Sequence, residues 1–166
     1  MTTKPSDTIT APDAAAIVIW TEKYATGVEV VDDQHKELVN LTNQLYQACL
    51  AGNESADTVF KRAMHRMVEY VRFHFGFEQN LLERANFPMF REHKQEHDKL
   101  IRQILDAVKN YEEGKKFVPN QFVRTLKDWV FSHIAVSDKV YAAYIATQRK
   151  MGLLSDQQIK DMMQIQ

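Results

Sequence analysis

The chain has 166 residues, of which 45% are hydrophobic and 26% charged; its formal net charge is -1 and it carries one cysteine, Cys49. That length suits a single domain with a substantial core, the near-neutral charge gives no footing for nucleic acid, and a lone cysteine excludes an intrachain disulfide and fits a reducing compartment. The apolar run AAAIVIW is short and follows Asp13, not a basic cluster, so neither a secretory leader nor a membrane span is read, and a cytoplasmic protein is expected.

Residues 1–18, rich in Thr, Pro and Ala, read as a flexible N-terminal segment. After Trp20, four long segments carry apolar residues at spacings of three and four, which marks amphipathic helices. The first spans about Asp33 to Leu50 and has the stripe His35, Leu38, Thr42, Leu45 and Cys49. AGNES breaks the pattern, with Ser55 as the expected N-cap of the second helix. That helix runs to about Arg84, with the stripe Met64, Met67, Val71, His74, Glu78 and Leu81. NFP ends it, and Pro88 suits the first turn of the third helix. Its stripe is Phe90, His93, His97, Leu100, Ile104, Val108 and Tyr111. EGKKFVP forms the next turn, around Gly114 and Pro119. The fourth stripe reads Phe122, Leu126, Trp129, His133, Val136 and Val140, continues to about Lys150 and stops at Gly152; a short helix follows from Ser155. No strand pattern competes. The expected fold is all-α: an up-down-up-down four-helix bundle over residues 19–150, with an N-terminal arm and a C-terminal tail at 151–166 that is helical in part.

Polar residues interrupt those stripes. Five of the six histidines lie on them, with Glu78 beside His74. One core histidine is more often a hydrogen-bonded structural residue than a ligand. The joint pattern is different, because an unpaired buried carboxylate costs on the order of several kcal/mol and no inward Arg or Lys stands on any stripe to neutralise it. A metal centre satisfies all of these groups together. His74 and Glu78 (HxxxE) stack one turn apart, as do His93 and His97 (HxxxH). His35 and His133 add one ligand each, while His65, off its stripe, reads as a solvated surface residue.

Two metals need a second carboxylate, and the nearest acid after His133 is Asp138. Five residues turn a regular helix by roughly 500°, so these two side chains do not stack. Either the site lies in the angle between them or the helix opens as a π-bulge, a feature common at functional sites. Regular geometry alone prefers Ser137, and the plain alternative for Asp138 is an exposed charge next to Lys139.

VDDQH at 31–35, HFGFE at 74–78, HKQEH at 93–97 and HIAVSD at 133–138, with Trp20 and TGVEVVD upstream, resemble the hemerythrin family, specifically its bacterial members. The resemblance covers roughly residues 20 to 148. It implies a non-haem di-iron centre that binds dioxygen reversibly. One iron would be held by His93, His97 and His133, the other by His35 and His74. Glu78 and Asp138 would bridge them with a solvent-derived oxygen, and the iron with two histidines would keep the open position for O2. The family often has a second acid after the glutamate, where this chain has Gln79, a position read as pointing away from the metal stripe.

Trp129, Phe75 and Val136 are the expected lining of the oxygen pocket, with Val130 and Phe77 as further apolar walls. Trp129 matches a residue near the family's pocket; for the others, core packing explains the residue as well. Many imidazoles and few carboxylates suit ferrous iron and mild exchange with O2 better than the oxidation of substrates. An oxygen-binding protein is therefore expected rather than an enzyme, with a di-iron enzyme or a sensor of O2, peroxide or nitric oxide as the alternative. The implied partners are dioxygen and an unidentified oxygen-consuming protein. Neither nucleic acid nor membrane insertion is expected, and the expected state is a monomer.

Overall fold

The computed structural model describes residues 16–51, 54–115 and 117–162. It contains α1 (Glu29–Ala51), α2 (Glu54–Arg84), α3 (Phe90–Glu112), α4 (Pro119–Ser132), a π-helical turn (His133–Ser137), α5 (Asp138–Lys150) and α6 (Asp156–Met162), preceded by a 3-10 turn at Glu22–Tyr24. The rods of the bundle are α1, α2, α3 and the unbroken run of α4, π-turn and α5. No strand occurs among the described residues, and none of the helices is long and apolar enough to cross a membrane. The N-terminal segment, apart from its last three residues, lies outside the described residues.

Local chemistry sets the ends of these elements. Ahead of α1, the Asp32 carboxylate accepts hydrogen bonds from Thr26 N (2.6 Å), Thr26 Oγ1 (2.7 Å) and Gly27 N (3.1 Å), so the helix begins at Glu29, four residues earlier than its apolar stripe indicates. Asn43 ties down the arm by donating to Val18 O and accepting from Val18 N. Helix α2 already includes Ser55, which is therefore not its N-cap. Beyond its last residue, Arg84, the chain turns at Asn86, whose φ of 53° is tolerated by a short polar side chain, and Phe87 N closes back onto Leu82 O. Pro88 sits in the turn before α3, whose first residue is Phe90, so it lies outside that helix's first turn. Pro119, by contrast, opens α4. Gly152 (φ 70°) closes α5, with Leu153 N bonding to Gln148 O. At α6, Ser155 Oγ accepts from Gln158 N while Gln158 Oε1 accepts from Ser155 N, a reciprocal capping box.

Two apolar clusters fill the interior. One holds Leu38, Leu41 and Leu45 of α1, Met64, Met67, Val71 and Phe75 of α2, Leu100 and Ile104 of α3, and Val123, Leu126 and Val130 of α4. The other joins Val28 and Val31 to Phe77, Leu81, Leu82, Phe87, Tyr141 and Ile145, and is closed by Leu154, Ile159 and Met162. Along each rod, the histidines and acids of the sequence reading fall between these clusters: His35 between Val31 and Leu38, and His74 and Glu78 between Val71 and Leu81. A polar layer thus crosses an otherwise apolar bundle.

The fourth rod departs from its expected stripe. Val136 is 64% exposed and Val140 46% exposed, whereas Asp138, Tyr141, Ala142 and Ile145 are buried. The π-turn adds one residue to the helical repeat, which moves every inward position after His133 on by one. Val136 therefore faces away from the core and is not part of a pocket wall.

Candidate metal centre

Each rod places its polar residues in the layer by helical repeat. Glu78 Oε2 lies 3.7 Å from His74 Nε2, 3.6 Å from His93 Nε2 and 3.3 Å from His97 Nε2, while Oε1 lies 3.5 Å from His35 Nε2. Asp138 reaches His35 Nε2 at 3.2 Å, His133 Nε2 at 3.1 Å and His93 Nε2 at 3.6 Å. The π-turn is what brings Asp138 here, where regular helix would have offered Ser137. The nitrogens His97 Nε2 and His133 Nε2 face each other at 2.9 Å. All seven residues are buried, none more than 4% exposed. His65 is absent from the group: it is half exposed and pairs with Glu112 on the surface.

Most of these rings are fixed from behind. Gln34 Oε1 lies 2.9 Å from His74 Nδ1, Gln79 Nε2 lies 3.4 Å from His97 Nδ1, and Glu96 Oε2 lies 2.9 Å from His133 Nδ1. The Tyr141 hydroxyl donates to Glu78 Oε1. None of these four residues stands out in the sequence, because the stripe exposes only positions aimed at the centre. The nearest signal was adjacency, since Gln34 precedes His35 and Glu96 precedes His97. The stripe points Gln79 away from the centre, yet its long side chain curls back to the ring of His97.

Aromatic rings border the layer. Phe75 stacks on His97 with ring centroids 3.6 Å apart and planes 1° from parallel, and Trp129 stacks on His133 at 4.6 Å and 12°. Trp20 stands 6.3 Å from His35. Val130 belongs to the apolar cluster containing Phe75, and Phe77 to the opposite one.

Charge in this layer is set by carboxylates and imidazoles acting on one another. Among the described residues, the buried polar set contains two carboxylates, five histidines, Gln34 and Thr42, with no Lys or Arg. Burial works against ionising Asp138, and so does Glu78, but His133 and His35 outweigh both and hold its carboxyl down at about 2. Burial likewise opposes the Glu78 charge, which His74, His35, His93 and His97 keep well below the usual carboxylate range. Burial disfavours a charged His35, yet Asp138 and Glu78 push its ring up to about 9. His74, for which burial wins, falls to about 3. For Tyr141, burial and the neighbouring Glu78 and Asp138 push the hydroxyl well above its ordinary value.

Metal ions fit this arrangement. His35 Nδ1 and Nε2, Glu78 Oε2, His93 Nε2 and both Asp138 oxygens are buried without a hydrogen bond among the described residues. Orphaned donor atoms of this kind are costly unless something pairs with them. Two groups have the spacing to hold an ion: Glu78, His93, His97, His133 and Asp138, and His35, His74 and Glu78. They share Glu78. Imidazole and carboxylate donors suit divalent transition metals.

Known proteins share this organisation. The family described as Hemerythrin HHE cation binding domain matches residues 26–145. The bacteriohemerythrin of Methylococcus capsulatus is 32% identical over 127 residues, which is 76% of this chain and 95% of that protein. That of Pseudomonas aeruginosa is 32% identical over 126 residues, 76% of this chain and 80% of its relative. A crystal structure of wild-type hemerythrin superposes with a TM-score of 0.72 at 30% identity, covering 77% of this chain and 97% of the other.

Proposed function

The chain belongs to the hemerythrin family, and on that footing we propose that it binds dioxygen reversibly at a non-haem di-iron centre, for oxygen storage, delivery or buffering. One ion would be held by His93, His97 and His133, the other by His35 and His74, with Glu78 and Asp138 shared between them. The contacts of His35 and His93 with both carboxylates support a shared pair of acids. When bound, two ferrous ions supply the electrons for reversible dioxygen binding.

The chain's own residues hold, orient and shield. Gln34, Gln79 and Glu96 fix the rings of His74, His97 and His133 by their Nδ1 atoms, which leaves each Nε2 turned to the centre. Tyr141 holds one Glu78 oxygen in place through its hydroxyl. Phe75 and Trp129 stack over imidazoles and exclude water from that side. A dry, apolar border slows irreversible oxidation of the metal. Thr42 spends its hydroxyl on Leu38 O at 2.8 Å, and Tyr141 is held protonated by burial and the neighbouring carboxylates.

The observation that carries the proposal is the buried layer itself: two carboxylates and five imidazoles between apolar clusters, with orphaned donor atoms and, among the described residues, no buried Lys or Arg. The test is the visible spectrum of purified protein through repeated cycles of O2 and nitrogen. Absorption that appears with O2 and disappears without it, over many cycles, is expected. Steady O2 consumption, or permanent bleaching after the first cycle, would count against a carrier.

A further inference from the structure

Glu96 lies on α3, between the two histidines of HKQEH, and its side chain is half exposed. One oxygen, Oε2, accepts two hydrogen bonds, from His133 Nδ1 at 2.9 Å and from Ser137 Oγ at 2.7 Å. Those donors are the first and last residues of the π-turn. In a regular helix, residue 137 stands one turn above 133 on the same stripe, and residue 138 lies about 100° further round. The extra residue in the turn exchanges these roles. Asp138 becomes wholly buried among the histidines, while Ser137 rotates towards the rim, where Glu96 meets its hydroxyl.

We propose that Glu96 is the positioning residue that locks the π-turn: a single carboxylate ties the two ends of the turn to α3, holding the His133 ring and keeping Asp138 in the inward place. A π-turn gives up regular helical hydrogen bonding and persists where other contacts favour it. Here that contact comes from a neighbouring helix. The same bond makes His133 Nδ1 the donor and leaves Nε2 free to face the centre. The consequence for the metals rests on the di-iron reading above; the lock on the turn does not.

Hydrogen exchange of the amides at 134–138, measured on the full chain as purified, tests the lock directly. Glu96→Leu is expected to speed exchange there at least about tenfold, because a charge-assisted tie has gone, and to leave α1 and the start of α2 unchanged. Ser137→Ala should act in the same direction but more weakly. The double variant should exchange no faster than Glu96→Leu alone, since Ser137 acts through Glu96. Glu96→Gln, which keeps an accepting oxygen, should restore part of the protection. Iron release to a ferrous chelator should quicken by about ten- to a hundredfold in Glu96→Leu. Wild-type exchange at 134–138 in Glu96→Leu, or fully additive effects in the double variant, would overturn the proposal. If Glu96→Leu does not accumulate folded, Ser137→Ala and Glu96→Gln decide: wild-type exchange in both overturns it. A chain that holds no iron yet shows the expected exchange pattern would sink the di-iron reading and leave the lock standing.

Discussion

Removing the hydroxyl of Tyr141 probes the polar layer without disturbing its packing. Tyr141 and Glu78 are both fully buried, and the Tyr141 O–H donates to Glu78 Oε1. In Tyr141→Phe the ring stays against Phe87 and His93, but Glu78 Oε1 keeps only His35 Nε2, at 3.5 Å and poorly aligned. A buried hydrogen bond to a charged acceptor contributes about 1.5–3 kcal/mol. For a protein of this size that corresponds to a drop in melting temperature of about 3–12 °C. Tyr144→Phe is the control: its one hydroxyl proton is shared between two neutral carbonyls, Ala85 O and Asn86 O, at a partly exposed edge, so about 0.5–1.5 kcal/mol is expected. The assay is urea unfolding of iron-free protein with equal m-values for all three chains. If Tyr141→Phe proves no more destabilising than Tyr144→Phe, the buried Glu78 does not carry the charge argued for it.

Glu78→Ala should lose at least one of two metals per chain by elemental analysis, whereas His65→Ala should keep both, since His65 is half exposed and its pair with Glu112 contributes about 1 kcal/mol or less. Val130→Ala, in the core, should cost about 2 kcal/mol, while Val136→Ala should stay within about 0.5 kcal/mol, both by urea midpoint. Iron-free protein should be most stable to urea near pH 6.5. His35, pushed up to about 9 against the pull of burial by Asp138 and Glu78, contributes stability that is full below 6.5 and lost as pH rises towards 9. His74, lowered by burial to about 3, costs stability as pH falls from 6.5 to 3, because the unfolded chain binds the proton that the folded chain refuses. A midpoint that rises steadily from pH 6.5 to 9 would contradict the His35 assignment.

Much of this fold was legible because its periodicity is simple. Stripes at three- and four-residue spacing reveal helices whose inward faces are mostly apolar, and His35, His74, Glu78, His93 and His97 stood out as polar interruptions of those stripes. Asp138 follows only from the need for a second acid; periodicity points to Ser137, because a π-turn leaves no mark in a stripe until the residues beyond it fall out of phase. Val136 and Val140 are that phase error, expected inside and found exposed. Gln34, Gln79, Glu96 and Tyr141 were illegible for another reason. Each acts by reaching sideways to a ring or carboxylate on a different rod, and such reach depends on how the rods pack. Helix ends were missed where side chains outside the stripe decide them, as Asp32 does for α1.

Diffraction from crystals of the iron-loaded protein, recorded on both sides of the iron absorption edge, tests the central claim most directly. Two anomalous peaks enclosed by His35, His74, Glu78, His93, His97, His133 and Asp138 are the expected result. A map with no peak among those seven side chains, or with iron bound only at the protein surface, would contradict the account.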